Sequence, residues 1–238
     1  MCSNYEAVTR DDRLLAFFGA ARPEGRRNEP EVWPLGIAPF IRRHEGGSGN
    51  RVIEDGRFGL LPHFAKELAF GRRTYNARSE TVDSRPTYRT AWRAGQRCLI
   101  PAAWYQEPNW ETGKNIWWRL RRADGEPWAL AGIWSEWTDP ESGEIVPSYT
   151  MLTINCDGHP LLGRLHKPDP KLPPDAQDKR SVVPLAPDDW AAWLHGDEAG
   201  ARRLLAVPPA SLYDPADAQR TDAALTLSAA SPPDLFAT

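Results

Sequence analysis

Two nucleophiles could meet at the second residue of this chain, Cys2. Its side chain is small enough that the initiator Met1 is expected to be removed, leaving a thiol and a free α-amine on adjacent carbons. An α-amine titrates near ~7.7–8.0, so about a tenth is unprotonated at neutral pH. Such a 1,2-aminothiol attacks an aldehyde through nitrogen, and sulfur then closes the imine into a five-membered thiazolidine. A loose terminus without function accounts for the same residue equally well. The rest of the chain must decide.

Three further stretches hold groups that such chemistry needs. Asn76-Ala77-Arg78-Ser79-Glu80-Thr81 joins an amide that can orient a carbonyl to a guanidinium whose planar fork suits phosphate. The same composition also describes a polar turn. In Arg97-Cys98-Leu99-Ile100-Pro101-Ala102-Ala103-Trp104-Tyr105-Gln106-Glu107, a carboxylate follows two aromatic residues. Partial desolvation there would raise its pKa towards neutrality, as a general acid or base requires. A glutamate on the solvent face of a strand is the plain alternative. His166, within Leu165-His166-Lys167, has an imidazole able to shuttle a proton, and His159 is its rival. Cys156 and His159 lack two further ligands at a recognised spacing, so no metal and no cofactor are expected.

Composition narrows the setting. The 238 residues suit one large domain or two small ones, and 41% hydrophobic with 26% charged residues is a globular balance. Three cysteines, an odd and sparse set, argue against a secreted disulfide framework. No run reaches the ~18 apolar residues of a membrane span, and no basic-then-apolar leader is present. A cytoplasmic protein without membrane contact is expected. With a formal net charge of −3, any nucleic-acid contact must come from a local basic surface. Arginines occur in pairs, Arg26-Arg27, Arg42-Arg43, Arg72-Arg73 and Arg121-Arg122; solvated loop charge explains any one of them. The 11 tryptophans could build a core or stack on bases.

The elements that must position these residues are short. An extended start (2–8) leads to Thr9 and Asp12, a capping-box pattern, and then to a helix carrying Leu14, Leu15, Phe17 and Phe18 that Gly19 stops. Gly46-Gly47-Ser48-Gly49-Asn50 reads as a turn. Segments 51–54 and 57–61 read as strands of a hairpin about Asp55-Gly56. Residues 62–70 form a short helix or irregular turn, 76–81 a loop and 87–94 a helix. Strands are expected at 97–101, 103–107, 115–121, 128–137, 148–155 and 181–185, with a short helix at 160–166 and another capped by Asp188. Short strands separated by turn residues give an α+β class, with antiparallel sheets curled towards a barrel or sandwich. One domain spans 2–207, and 208–238 form a Pro-, Ala- and Asp-rich strap or tail.

Cys2, Asn76-Ala77-Arg78-x-Glu80, Arg97-Cys98-Leu99-Ile100-Pro101-Ala102 with Glu107, and the later His166 together resemble the SRAP (SOS response-associated peptidase) family over roughly residues 2–205. The resemblance implies a single α+β domain, with curved antiparallel sheets forming a barrel-like core flanked by short helices. It implies a monomer that binds single-stranded DNA at abasic sites, at the nucleoid when bound. Its N-terminal cysteine would form a thiazolidine cross-link with the opened sugar, with associated autoproteolytic and abasic-site lyase activities. Carried over by position, Cys2 is the nucleophile and Asn76 holds the N-terminal region or the sugar. Arg78 binds phosphate, Glu107 is the acid–base group, and His166 protonates the sugar oxygen. Arg72 and Arg73 join Arg78 on the DNA-binding surface.

Three departures from the family pattern matter. The usual Cys-Gly-Arg start is Cys2-Ser3-Asn4, which lacks a phosphate-binding arginine. Trp-Gly-Leu-x-Pro-x-Trp becomes Phe58-Gly59-Leu60-Leu61-Pro62-His63-Phe64, leaving Phe58 and Phe64 as the stacking candidates. After His166, a longer loop runs to Lys179-Arg180-Ser181 in place of a short run to Arg-Met-Pro. Two other readings of the residues stay open. One is an N-terminal-nucleophile amidohydrolase using Cys2 with its own amine as base; the other is a non-catalytic single-strand-binding module.

Overall fold

A computed structural model of the chain describes residues 2–22, 29–44 and 51–230. The turn expected at 46–50 and the Arg26-Arg27 pair lie outside these. In chain order the strands and helices are β1 (Asn4–Ala7), α1 (Asp11–Phe18), β2 (Glu31–Val32), β3 (Ile37–Arg43), β4 (Arg51–Phe58), β5 (Asn76–Arg78), α2 (Pro86–Arg93), β6 (Arg97–Asn109), β7 (Ile116–Leu120), β8 (Trp128–Thr138), β9 (Ile145–Asn155), β10 (Arg180–Val182), α3 (Trp190–His195), α4 (Glu198–Arg203) and α5 (Ala216–Ala230). No helix among the described residues is long and apolar enough to cross a membrane.

Strand pairing closes a barrel. β3 pairs with β4, β4 with β9, β9 with β8, β8 with β6, and β6 returns to β3. This five-stranded ring is the α+β barrel core, and the other strands extend it: β1 and β7 on β6, β2 on β1, and β5 and β10 on β9. The sheet is not wholly antiparallel. β4 and β5 both run parallel to β9, and one consequence is that Asn76–Arg78, expected in a loop, is a strand in register with Met151–Thr153.

Two apparent breaks in the sequence are continuous strand. β6 passes through Pro101, where two separate strands are expected, as one element of 13 residues. Pro101 is tolerated because its backbone faces the edge where β3 gives way to β1; there its carbonyl accepts from Val8 N–H at 3.1 Å. β4 likewise runs through Asp55-Gly56 without a hairpin. Asp55 is not a turn residue: its carboxylate pairs with Arg22 at 2.7 Å, with both side chains buried. Gly56 is required for packing, since a Cβ there would come within 2.8 Å of Phe40.

Helix ends also differ in detail from the expected caps. α1 starts after Arg10 with no side-chain cap, although Gly19 does close it with a left-handed φ of 61°. A short 3-10 turn of Pro187–Asp189 precedes α3, and Asp188 makes no capping bond. After Pro208 the described residues run back against β6 and β7. Tyr213 bonds Tyr105 hydroxyl to hydroxyl at 2.9 Å, and Thr221 accepts from the Trp118 indole at 3.0 Å. The two contacts reach Tyr105 of β6 and Trp118 of β7, the neighbours of Glu107 along and across the strands.

Candidate functional site

Cys2, Asn76, Glu107 and His166 come from four separate stretches and converge at one end of the barrel. Cys2 leads into β1, which pairs with β6 from Asn4 opposite Gln106. The residue before β1 is thus brought alongside the end of β6 that holds Glu107. Asn76, the first residue of β5, donates its side-chain amide to the Cys2 carbonyl at 2.7 Å. Its own carbonyl accepts from the Tyr88 hydroxyl of α2 at 2.9 Å, so helix and strand fix it together.

Glu107 is 1% exposed. The alternation of β6 points it inward with Tyr105, opposite Trp118 of β7. His166 follows a 3-10 turn of Leu162–Arg164, and its Nε2 lies 3.0 Å from Glu107 Oε2. Asn109 fastens this turn by donating to the Arg164 carbonyl at 3.1 Å. His159 is used structurally: its Nδ1 accepts the backbone N–H groups of Leu161 and Leu162, and its Nε2 contacts the Pro208 carbonyl.

Burial sets the charges. Desolvation pushes the Glu107 carboxyl up to about 7 and holds the His166 imidazole down to about 3. Their contact is therefore a hydrogen bond, not an ion pair. Near neutrality the imidazole is uncharged and Glu107 exchanges its proton. Desolvation, reinforced by the nearby Glu107 charge, also raises the fully buried Cys2 thiol far above its ordinary range, so the sulfur is protonated.

The rim is of a different kind. Arg78 is half exposed and paired with Asp178 at 2.6 Å. Arg72 and Arg73 are exposed at the end of a 3-10 turn, Leu68–Arg73. That turn is seated by a close approach: a Cβ on Gly59, whose φ is 130°, would meet the Gly71 carbonyl oxygen at 2.1 Å. Phe64 is 43% exposed. Phe58 is 0% exposed and packs among Tyr5, Tyr75 and Tyr149. It is a core ring, and cannot stack on a base without leaving the core. Asn4, where the family pattern has arginine, is buried and donates to the Val32 carbonyl at 3.2 Å.

The family model described as SOS response associated peptidase (SRAP) matches residues 1–221. The chain belongs to the SRAP family. It is similar to the abasic site processing protein YoqW of Bacillus subtilis, 30% identical over 194 residues, covering 79% of this chain and 83% of that protein. It is also similar to the abasic site processing protein HMCES of Gallus gallus, at 27% identity over 56% of this chain and 51% of that one. The X-ray structure of a protein from Bordetella bronchiseptica superposes with a TM-score of 0.79 at 34% identity, covering 90% of this chain and 97% of that one. A Bacteroides thetaiotaomicron structure, at 19% identity and a TM-score of 0.74, shares the fold.

Sequence reasoning assigned no role to the tripeptide Asp178-Lys179-Arg180, whose side chains hold residues of the candidate motifs. Asp178 meets Arg78, Lys179 bonds the carbonyls of Leu165 and His166, and Arg180 makes a forked contact with Glu80 at 2.7 and 3.0 Å. The sequence signals were a charged cluster ending a Pro- and Asp-rich loop and the departure there from the family's short run after His166.

Proposed function

We propose that this SRAP protein processes abasic sites in single-stranded DNA by a covalent cross-link through Cys2. One observation carries the reading: the Asn76 amide holds the carbonyl of Cys2 beside a buried carboxyl with a near-neutral pKa. Removal of Met1 would expose an α-amine at that point. The names of the curated relatives, abasic site processing proteins, supply the matching substrate.

In the proposed sequence the amine nitrogen adds to C1 of the ring-opened sugar aldehyde. The resulting carbinolamine loses water to give an imine. The thiol sulfur then bonds to C1 while its proton passes to the imine nitrogen, completing the thiazolidine. Glu107 suits both later steps, because a carboxyl near its pKa can donate to the leaving hydroxyl and accept from sulfur. The neutral His166 serves as its hydrogen-bond partner and as a neutral donor to the sugar oxygen. Arg78, Arg72, Arg73 and Phe64 are the DNA-facing set. The imine also acidifies the neighbouring sugar carbon, so strand cleavage by β-elimination is the expected side activity.

A protonated, buried thiol favours attack through nitrogen over a cysteine amidohydrolase, which needs sulfur as its first nucleophile. The test is to mix the protein with a single-stranded oligonucleotide carrying one abasic site and to follow heat-stable adduct on a denaturing gel, with intact mass before and after. The wild type is expected to lose Met1 and gain the oligonucleotide. Cys2→Ala keeps an α-amine, so borohydride should still trap an imine while the heat-stable adduct disappears. An equal yield of heat-stable adduct from Cys2→Ala would refute the thiazolidine. Salt-sensitive binding without any covalent product would leave only the single-strand-binding module.

A further inference from the structure

The backbone of His166 is not one that a histidine adopts freely. Its φ of 63° is left-handed, a region uncommon for any residue with a Cβ. Such a conformation persists only where the surroundings over-determine it. Here two sets of hydrogen bonds do so. The His166 N–H donates to the Pro108 carbonyl, next to Glu107, at 2.6 Å. From the other side the Lys179 ammonium donates to the His166 carbonyl at 2.6 Å and to the Leu165 carbonyl at 2.7 Å.

Lys179 is itself firmly held. Its N–H donates to Asp157 Oδ1 at 2.9 Å, its carbonyl accepts from Cys156 N–H at 2.8 Å, and Arg180 opens β10 immediately after it. The residue is 8% exposed, whereas a lysine stem ordinarily carries its charge out to water. Burying the ammonium is unfavourable unless it is hydrogen-bonded, and the bonds it makes are to the two residues whose backbone aims the imidazole.

We propose that Lys179 is a positioning residue for the Glu107–His166 pair: by clamping the carbonyls of Leu165 and His166 it holds the left-handed backbone that directs the imidazole at Glu107, and it acts on the reaction only through His166. This rests on the cross-linking function proposed above. Lys179 touches neither Cys2 nor the sugar in this role, and the long loop that precedes it ends at the point where the clamp is needed.

The experiment is a double-mutant cycle read by single-turnover cross-linking to a single-stranded oligonucleotide with one abasic site. Lys179→Met keeps the stem and removes the donors. It is expected to lower the maximal rate about tenfold or more, leaving the half-saturating protein concentration unchanged within about twofold. In a His166→Ala background the same substitution should change the rate by less than about twofold, since the group it positions is gone. Lys179→Arg, which restores cationic donors, should recover roughly a third of the lost rate or more. A lysine that merely supports the fold would lower the rate equally in both backgrounds, and that result overturns the proposal. So does a folded Lys179→Met protein cross-linking within about twofold of wild type. Lys179→Gln enters the same cycle if Lys179→Met does not fold. If the wild type forms no cross-link while binding DNA, the functional reading fails first and the proposal falls with it.

Discussion

The buried centre and the exposed rim of this site are built on opposite physical terms. At the centre, Cys2 and Glu107 are enclosed, and burial disfavours charge: it pushes the thiol up and the imidazole down, so both are neutral, and it raises the Glu107 carboxyl to about 7. At the rim, Arg78, Arg72 and Arg73 lie exposed to water, and Arg78 is held by Asp178. The centre can tune proton transfer but not attract a polyanion. The rim can attract phosphate, at an energy that salt screens over ~8–10 Å. Reactivity and affinity should therefore be separable by mutation.

The largest expected effect lies at the centre. Glu107→Gln should slow cross-linking by about 10²–10⁴, the ordinary contribution of a positioned acid–base group, while leaving affinity for undamaged single strands unchanged. Because Glu107 is protonated below about 7 and ionised above it, the wild-type rate should lose its acid-assisted part as pH rises through that value. That limb should be missing from the Glu107→Gln rate–pH curve; its persistence would assign the titration to another group.

The two phenylalanines of the Phe58–Phe64 stretch should separate next. Phe58→Ala is expected to destabilise the protein by about 3–5 kcal/mol, the range for a buried aromatic ring, as read by denaturant unfolding. Phe64→Ala should leave the melting transition in place and weaken binding of single strands by about 1 kcal/mol. A reversal of these two phenotypes would mean that the ring facing DNA is the buried one.

Smaller effects belong to the charged rim. Arg78→Ala should weaken single-strand affinity roughly tenfold and lower the slope of log affinity against log salt by about 0.7, as expected for one lost phosphate contact. Asp178→Asn should act in the opposite direction by a few fold, since the carboxylate competes with phosphate for Arg78. Salt-titrated fluorescence anisotropy measures both. Equal losses from the two substitutions would show that the pair supports the loop and not the DNA.

Chemical type alone made several of these residues legible. Cys2 offers an amine and a thiol on adjacent carbons, but only together with the motifs around Asn76, Glu107 and His166 does it stand out from a loose terminus. Asn76 and Arg78 stand in a compact polar motif, and Glu107 follows two aromatic residues that suggest partial desolvation, although a solvent-facing glutamate fits the same residues and only the fold shows it buried. Short strands and turn residues likewise indicated the α+β class and sheets curled towards a barrel or sandwich, and the pairing of β4 with β9 and of β6 with β3 decides for the barrel. What remained hidden depends on partners far away in the chain. Asp55-Gly56 imitates a hairpin because the buried Arg22 that claims Asp55 is 33 residues distant. Phe58 imitates a stacking ring because only the closed barrel shows that the end of β4 faces inward. Asn76 becomes a strand residue only when β9 offers a parallel edge.

The sequence by itself thus determined which atoms could react: the amine and thiol of Cys2, the carboxyl of Glu107 and the imidazole of His166. Only the tertiary structure decided their protonation and aim. A pKa depends on what excludes water from a group, and a side-chain direction on what holds its backbone. Lys179 shows why neither is local, since it reaches His166 from 13 residues further along the chain and completes a backbone conformation that the histidine alone would not keep.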